Sequence, residues 1–211
     1  MYRLIVPTVT VAMWMGWAGP SLAADKLLPE EGATQVMLLL QPLVGDDLKL
    51  ARDKREKIHE FAIAQWKKAQ AVNELDHEER DRKFATMAKE NQHFLDETLT
   101  AEQRKRLDEI ALQEAGLLCL TRADIAEKLE LTSEQQRKAV QLLQGSLQEM
   151  EELIDSSGGE SKEESLQDLR KACQKRLQSL LTEKQKKTWK EICGAPFEGK
   201  LFLSESRTSD E

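Results

Sequence analysis

The chain has 211 residues, with 31 Lys and Arg against 38 Asp and Glu, for a formal net charge of −7. That balance argues against a nucleic-acid partner, which needs a basic face for phosphates. Aromatic residues make up 5%, charged residues 33%, and Gly and Pro number only 10 and 5, a composition that suits long amphipathic helices.

Residues 1–23 read as a secretory signal peptide. Arg3 supplies the positive start, and Leu4 to Trp17 follow without a charge, long enough for a signal's apolar region and short for a bilayer span. Gly19 and Pro20 break the helix. Ser21-Leu22-Ala23 then offers small residues before a cut at Ala24, with Asp25 the next choice and an uncleaved anchor the alternative. Cleavage leaves 30 basic against 38 acidic residues, a net −8. The expected location is periplasmic or secreted, with no stable membrane span in the mature chain.

Residues 24–45 read as an N-terminal extension. After them, apolar spacing predicts a stripe over Ile58, Phe61, Ala62, Trp66, Ala69 and Val72, and a second over Phe84, Met87, Leu95 and Thr98 that polar Asn91 interrupts. Asn73 to His77 is the expected bend between them. Ala139, Leu143, Leu147, Met150 and Ile154 share one helix face, as do Leu166, Leu169, Cys173, Leu177 and Leu180. Asp155-Ser156-Ser157-Gly158-Gly159 between these two runs predicts a turn, and hence a helical hairpin. The expected fold is all-α, long amphipathic helices in antiparallel hairpins.

One motif occurs three times: Leu99-Thr100-Ala101-Glu102-Gln103, Leu131-Thr132-Ser133-Glu134-Gln135 and Leu181-Thr182-Glu183-Lys184-Gln185. Its local meaning is a helix start. A Thr at the N-cap accepts from the N–H three residues on, and a Gln at that position reaches back to the cap's own N–H. Glu102, Glu134 and Glu183 suit the positive end of the helix dipole. The leading leucines lack the apolar partner of a hydrophobic staple and are expected to pack on a neighbouring helix.

The spacing also predicts a duplication. A shift of 82 lays residues 99–110 on 181–192 with six identities in twelve positions, and a shift of 81 lays Leu50 on Leu131, Phe61 on Leu142 and Trp66 on Leu147. Leu48-Lys49-Leu50-Ala51-Arg52-Asp53 reads as a degenerate copy without the capping Thr and Gln. Two repeat units are expected, residues 46–115 and 116–195, followed by a polar tail over 196–211. Chance agreement among Leu-rich helices is the alternative.

An exported helical chain with repeated Leu-Thr-x-x-Gln resembles the periplasmic LTxxQ-motif proteins, the Spy and CpxP-like helical envelope stress proteins. The resemblance covers the three motifs and their helices, about residues 40–195. It implies a hooked arrangement of long helices, often a cradle-shaped homodimer, that holds unfolded clients without ATP or touches an envelope sensor. This chain departs from that pattern in length, in duplication and in acidity. A duplicated chain can supply in one molecule what smaller relatives build from two, so both monomer and homodimer stay open.

Chemistry-bearing motifs are scarce. His59, His77 and His93 form no i, i+4 pair, and after signal removal only Met37, Met87 and Met150 remain, so no metal site and no cofactor is expected. The acidic run Glu149, Glu151, Glu152, Asp155, Glu160, Glu163 and Glu164 reads as a solvated bend, and no phosphate loop, zinc-protease helix or nucleophile elbow occurs, so no catalytic residue is assigned.

Charge gives the better clue to binding. Arg170, Lys171, Lys175, Arg176, Lys184, Lys186, Lys187 and Lys190 give residues 166–190 a charge of +6, while residues 145–165 carry −6. Two readings follow: mutual pairing across the hairpin, or a basic surface for acidic clients, lipids or cell-wall polymers. The expected function is an exported helical binding protein for unfolded or envelope proteins, chaperone-like or sensor-binding, without catalysis. The alternative is a structural helical oligomer of the envelope. Of three cysteines, Cys173 lies on an apolar stripe, while Cys119 and Cys193 are either free or joined in a disulfide; three free thiols is the preferred reading.

Overall fold

The computed structural model describes residues 31–72, 75–156 and 161–199. The stretch read from sequence as a signal peptide with its cleavage zone, residues 73–74 of the expected bend, residues 157–159 of the expected turn and residues 200–211 lie outside them. The regular structure among the described residues is all helical: α1 (Glu31–Leu39), α2 (Pro42–Asp47), α3 (Arg52–Val72), α4 (His77–Thr98), α5 (Ala101–Ala115), a 3-10 helix (Gly116–Thr121), α6 (Ala123–Lys128), α7 (Ser133–Ser156), α8 (Ser161–Leu180) and α9 (Glu183–Cys193). None of these helices is long and apolar enough to cross a membrane.

The buried side chains form two cores. In the first, α1 lies against α3, α4 and α5, and Leu38, Ile58, Leu95, Leu107 and Ile110 are wholly or almost wholly buried. In the second, the 3-10 helix packs on α7 and α8 and supplies Leu117, Leu118, Cys119 and Leu120 to a cluster with Ala139, Leu143, Cys173 and Leu177. Membership changes between Ala111 and Leu112, inside α5, so one continuous helix serves both cores. Residues 31–45, expected as an extension, instead form α1 and most of α2 and are built into the first core. The segment after α9 is not wholly polar tail either: Phe197 packs on the first core, and its N–H donates to Gln113 Oε1 at 2.8 Å.

Two pairs of long helices extend from these cores, α3 with α4 and α7 with α8, and no extensive contact among the described residues joins one pair to the other. Asp76 caps α4 by accepting from the Glu79 N–H at 3.0 Å, so the bend ends one residue before His77. α7 runs through Asp155 to Ser156, so the expected turn begins later than Asp155. A protruding two-helix hairpin has no third layer, and its apolar stripe is only partly covered. Ala139 and Leu143 are buried near the base of α7, whereas Leu147, Met150 and Ile154 further out are half-exposed. Ile58, Ala62, Ala69 and Val72 are buried on α3, while Phe61 and Trp66 are half-buried, with Phe61 stacked on Phe94. Asn91, the polar interruption on α4, is itself buried.

Backbone geometry recurs at a spacing of 81. Lys49 and Glu130 are the only non-glycine residues with positive φ among those described, at 50° and 51°. Before them, α2 and α6 have equal length, start at Pro42 and Ala123, and are flanked by Gln41 and Arg122 in extended conformation. After them, Leu50 N donates to Gly45 O and Leu131 N to Ala126 O, both at 2.9 Å. A left-handed residue ends each short helix and turns the chain into the following long one.

Candidate functional site

Each of the three Leu-Thr-x-x-Gln segments starts a helix. Thr100, Thr132 and Thr182 accept through Oγ1 from the backbone N–H of Gln103, Gln135 and Gln185, and those glutamines accept through Oε1 from the threonine N–H groups, at 2.9 to 3.3 Å. The leading residues Leu99, Leu131 and Leu181 are buried, the first in one core and the other two in the second.

The glutamines do more than cap. Gln135 Nε2 donates to Leu180 O at 2.7 Å, and Gln185 Nε2 reaches Glu130 O at 3.4 Å; the two carboxamides also bond each other at 2.8 and 3.0 Å. The second and third motifs thus clasp face to face, each Gln satisfying the carbonyl just before the other's Leu. In the first core Gln103 Nε2 donates to Leu48 O at 2.9 Å, and Lys54 Nζ donates to Gln103 Oε1 at 3.4 Å. An amide nitrogen can donate to a carbonyl while its oxygen accepts from the cap, a double role that a Glu carboxylate cannot fill.

The basic residues proposed from sequence lie along α8 and α9. Arg176 Nη1 meets Glu149 across the α7–α8 hairpin at 3.2 Å. The others find partners nearby: Arg170 with Glu114 at 3.5 Å, Lys171 with Asp168 at 3.2 Å, Lys184 with Glu130 at 2.7 Å, Lys186 with Glu183 at 2.7 Å and Lys187 with Glu191 at 3.9 Å. Lys175 and Lys190 make no ion pair among the described residues. Hydrogen bonds from Lys184 and Lys186 hold the Glu130 and Glu183 carboxyls below their usual range. Burial pushes the Glu114 carboxyl up, against the pull of Arg170. Most of these pairs are solvent-exposed and weak, so the lysines stay exchangeable with other carboxylates.

Arg170, Lys171 and Lys175 line an open groove of about 480 Å³ with Gly116, Leu117, Gln174, Gln178 and Trp189. Gln174 is committed to structure: its Oε1 accepts from Leu117 N at 2.7 Å and its Nε2 donates to Ala115 O at 3.1 Å, bridging the junction of α5 and the 3-10 helix. Cys119, Cys173 and Cys193 are free thiols. No group of three His, Cys, Asp or Glu side chains positioned to hold a metal ion occurs among the described residues.

Sequence reading missed the buried polar seam of the first core. Gln35 is fully buried and donates to Asp108 Oδ1 at 2.6 Å, Asp108 lies 3.6 Å from Arg104, and Arg104 donates to Gln92. Compared with protein-family models, with curated proteins and with solved structures, the chain finds no match in any of the three.

Proposed function

We propose that the chain is an exported helical binding protein of the cell envelope, one that holds unfolded proteins or touches an envelope sensor and performs no catalysis. The observation that carries this reading is the half-covered apolar lining of the two hairpins. Trp66, Phe84 and Met87 on one, and Leu147, Met150, Leu153, Leu166 and Leu169 on the other, sit on helix faces meant for burial, yet are only partly covered, and Ile63 is 42% exposed. Incompletely buried apolar stripes rimmed by charge suit transient contact with exposed apolar segments. The test is light scattering of an aggregating, chemically unfolded protein with and without the purified mature chain, beside capture of envelope proteins. Delay at near-stoichiometric ratio, or specific capture, supports the reading; neither would end it. If the same stripes serve only to cover a second copy, sedimentation will show an oligomer that suppresses nothing.

We infer further that the halves are copies of one unit, supported by the recurrence at 81 residues of Lys49 and Glu130, of the short helices before them and of the hydrogen bonds after them. Copies should answer alike to the same change. Lys49→Gly and Glu130→Gly should each stabilise by about 0.5–1 kcal/mol, because glycine relieves the left-handed strain at a small entropic cost. Opposite signs in urea denaturation would oppose the inference.

A further inference from the structure

α1 fills a groove that the rest of the first core builds. Its walls are Ile58 and Ala62 of α3, Phe94 and Leu95 of α4, and Leu107 and Ile110 of α5, and α1 lays Val36, Leu38 and Leu39 among them. The 3-10 helix packs on α7 and α8 much as α1 packs on α3 and α4. The 3-10 helix is continuous with α5 before it and leads through Arg122 into α6 after it. α1 is the first described element, and Leu40 and Gln41 join it to α2.

The seam under α1 is also imperfect. Gln35 is wholly buried, and although its Nε2 is bonded to Asp108, its Oε1 has no hydrogen-bond partner. Asn91, which faces Gly32 in the first turn of α1, is buried with its Oδ1 likewise unpartnered. Both oxygens give up hydrogen bonds to water when α1 docks, and nine helical residues give up conformational freedom. Burial of three aliphatic side chains favours docking; these two terms oppose it.

We propose that the groove between α3, α4 and α5 is a docking site for an amphipathic helical segment of an unfolded client, with α1 as a resident occupant that the client displaces. This rests on the binding-protein reading above. α1 itself states the chemistry the site accepts. Val36, Leu38 and Leu39 call for aliphatic side chains on one helix face, and Asp108, already beside Arg104, accepts from an amide at the place of Gln35.

The geometry supplies the test. A Cβ added at Gly32 would lie 3.0 Å from Asn91 Cβ, so Gly32→Cys with Asn91→Cys can be joined after an opening of about 1 Å to the usual disulfide spacing. The oxidised full-length mature variant holds α1 down, and the reduced one releases it. The probe is a fluorescent peptide of residues 31–41, with reduced, carboxymethylated α-lactalbumin as the unfolded competitor. We expect the peptide to bind the reduced form, to be displaced by the competitor, and to bind the oxidised form at least tenfold more weakly, with recovery on reduction.

Equal binding in both redox forms overturns the proposal, as does a peptide that the unfolded protein cannot displace, which would show that the groove takes α1 alone, its own or another copy's. Should the variant not fold, hydrogen exchange on the unaltered protein decides. Amides of residues 36–39 should exchange at least tenfold faster than those of residues 117–120, and faster still with the unfolded protein present. Exchange of α1 only through global unfolding would refute it. Aggregation suppression that survives the oxidised lock refutes the groove and leaves the binding reading standing; no suppression in either form counts against both.

Discussion

Lys54 Nζ lies 3.4 Å from Gln103 Oε1, the place in the first core that the Gln135 carboxamide takes against Gln185 in the second. The first core thus carries a half-finished version of the clasp. Ala51 O accepts from Arg55 N at 3.1 Å as an N-cap carbonyl does, but its methyl side chain cannot accept from the N–H of residue 54. Ala51→Thr should stabilise the protein by about 1 kcal/mol, the usual worth of such a cap. Adding Lys54→Gln should complete the capping box and add about 0.5–1 kcal/mol. Urea midpoints at constant slope would measure both, and no gain from Ala51→Thr would show that α3 starts elsewhere.

The complete clasp predicts coupling. Gln135→Ala removes the reach-back to Thr132 and strands Leu180 O; Gln185→Ala does the same to Thr182 and Glu130 O. Each should cost about 1–3 kcal/mol, and the double variant should fall short of the sum by about 0.5–1.5 kcal/mol, because either change already breaks the shared amide pair. Thr132→Ala leaves that pair in place and should cost only about 1 kcal/mol. Strict additivity of the two glutamine changes would rule out the clasp as an energetic unit.

The caps were legible because they are local: donor, acceptor and helix lie within four residues. The clasp was not, because Gln135 and Gln185 meet only through tertiary folding, and a helix-start glutamine looks the same with or without a distant partner. α1 escaped because Val36-Met37-Leu38-Leu39-Leu40 is apolar on every side and short, so its spacing favours neither a helix nor a strand. Trp66 and Met150 lie on the predicted stripes yet are only half-buried, because periodicity says which way a side chain points and nothing about whether a third layer covers it. The change of core at Ala111 and Leu112 has no sequence signal, since a continuous helix needs no Gly or Pro where its neighbours change.

Two glycines should respond with opposite signs. Gly116 sits at φ 58° and ψ −150°, a region open to glycine, and a Cβ there would collide with the Gln174 carboxamide that bridges Ala115 and Leu117. Gly116→Ala should destabilise by about 2–4 kcal/mol from strain and lost bonds. Gly145 lies within α7, and a Cβ there would meet nothing within 4 Å. Gly145→Ala should therefore stabilise by about 0.5–1 kcal/mol, since alanine is the better helix former. Thermal melts of both variants beside the parent measure the two signs.

The cysteines give a pH prediction. Cys119 donates to Gly116 O at 3.0 Å, and burial pushes its thiol up to about 12, the nearby Arg122 opposing and Cys193 reinforcing the shift. Burial likewise raises Cys193, half-covered at the end of α9, to about 11. Thiolate is the reactive form, so neither should react quickly with a neutral disulfide reagent at pH 8 in the native protein, while denaturation without reductant should release three reactive groups. The folded state holds these protons to higher pH than the unfolded state. The unfolded thiols ionise near 9 and the folded ones only near 11 to 12, so their contribution to stability is whole below about pH 8 and is lost as pH rises through that window. Setting the parent against Cys119→Ala isolates the thiol from every other group that ionises at high pH. The variant should lose a constant amount of stability to its cavity below pH 8 and fall less steeply than the parent between pH 9 and 11. Parallel curves would show that Cys119 is not held protonated by burial, and fast labelling of one thiol at pH 8 would place it at the surface.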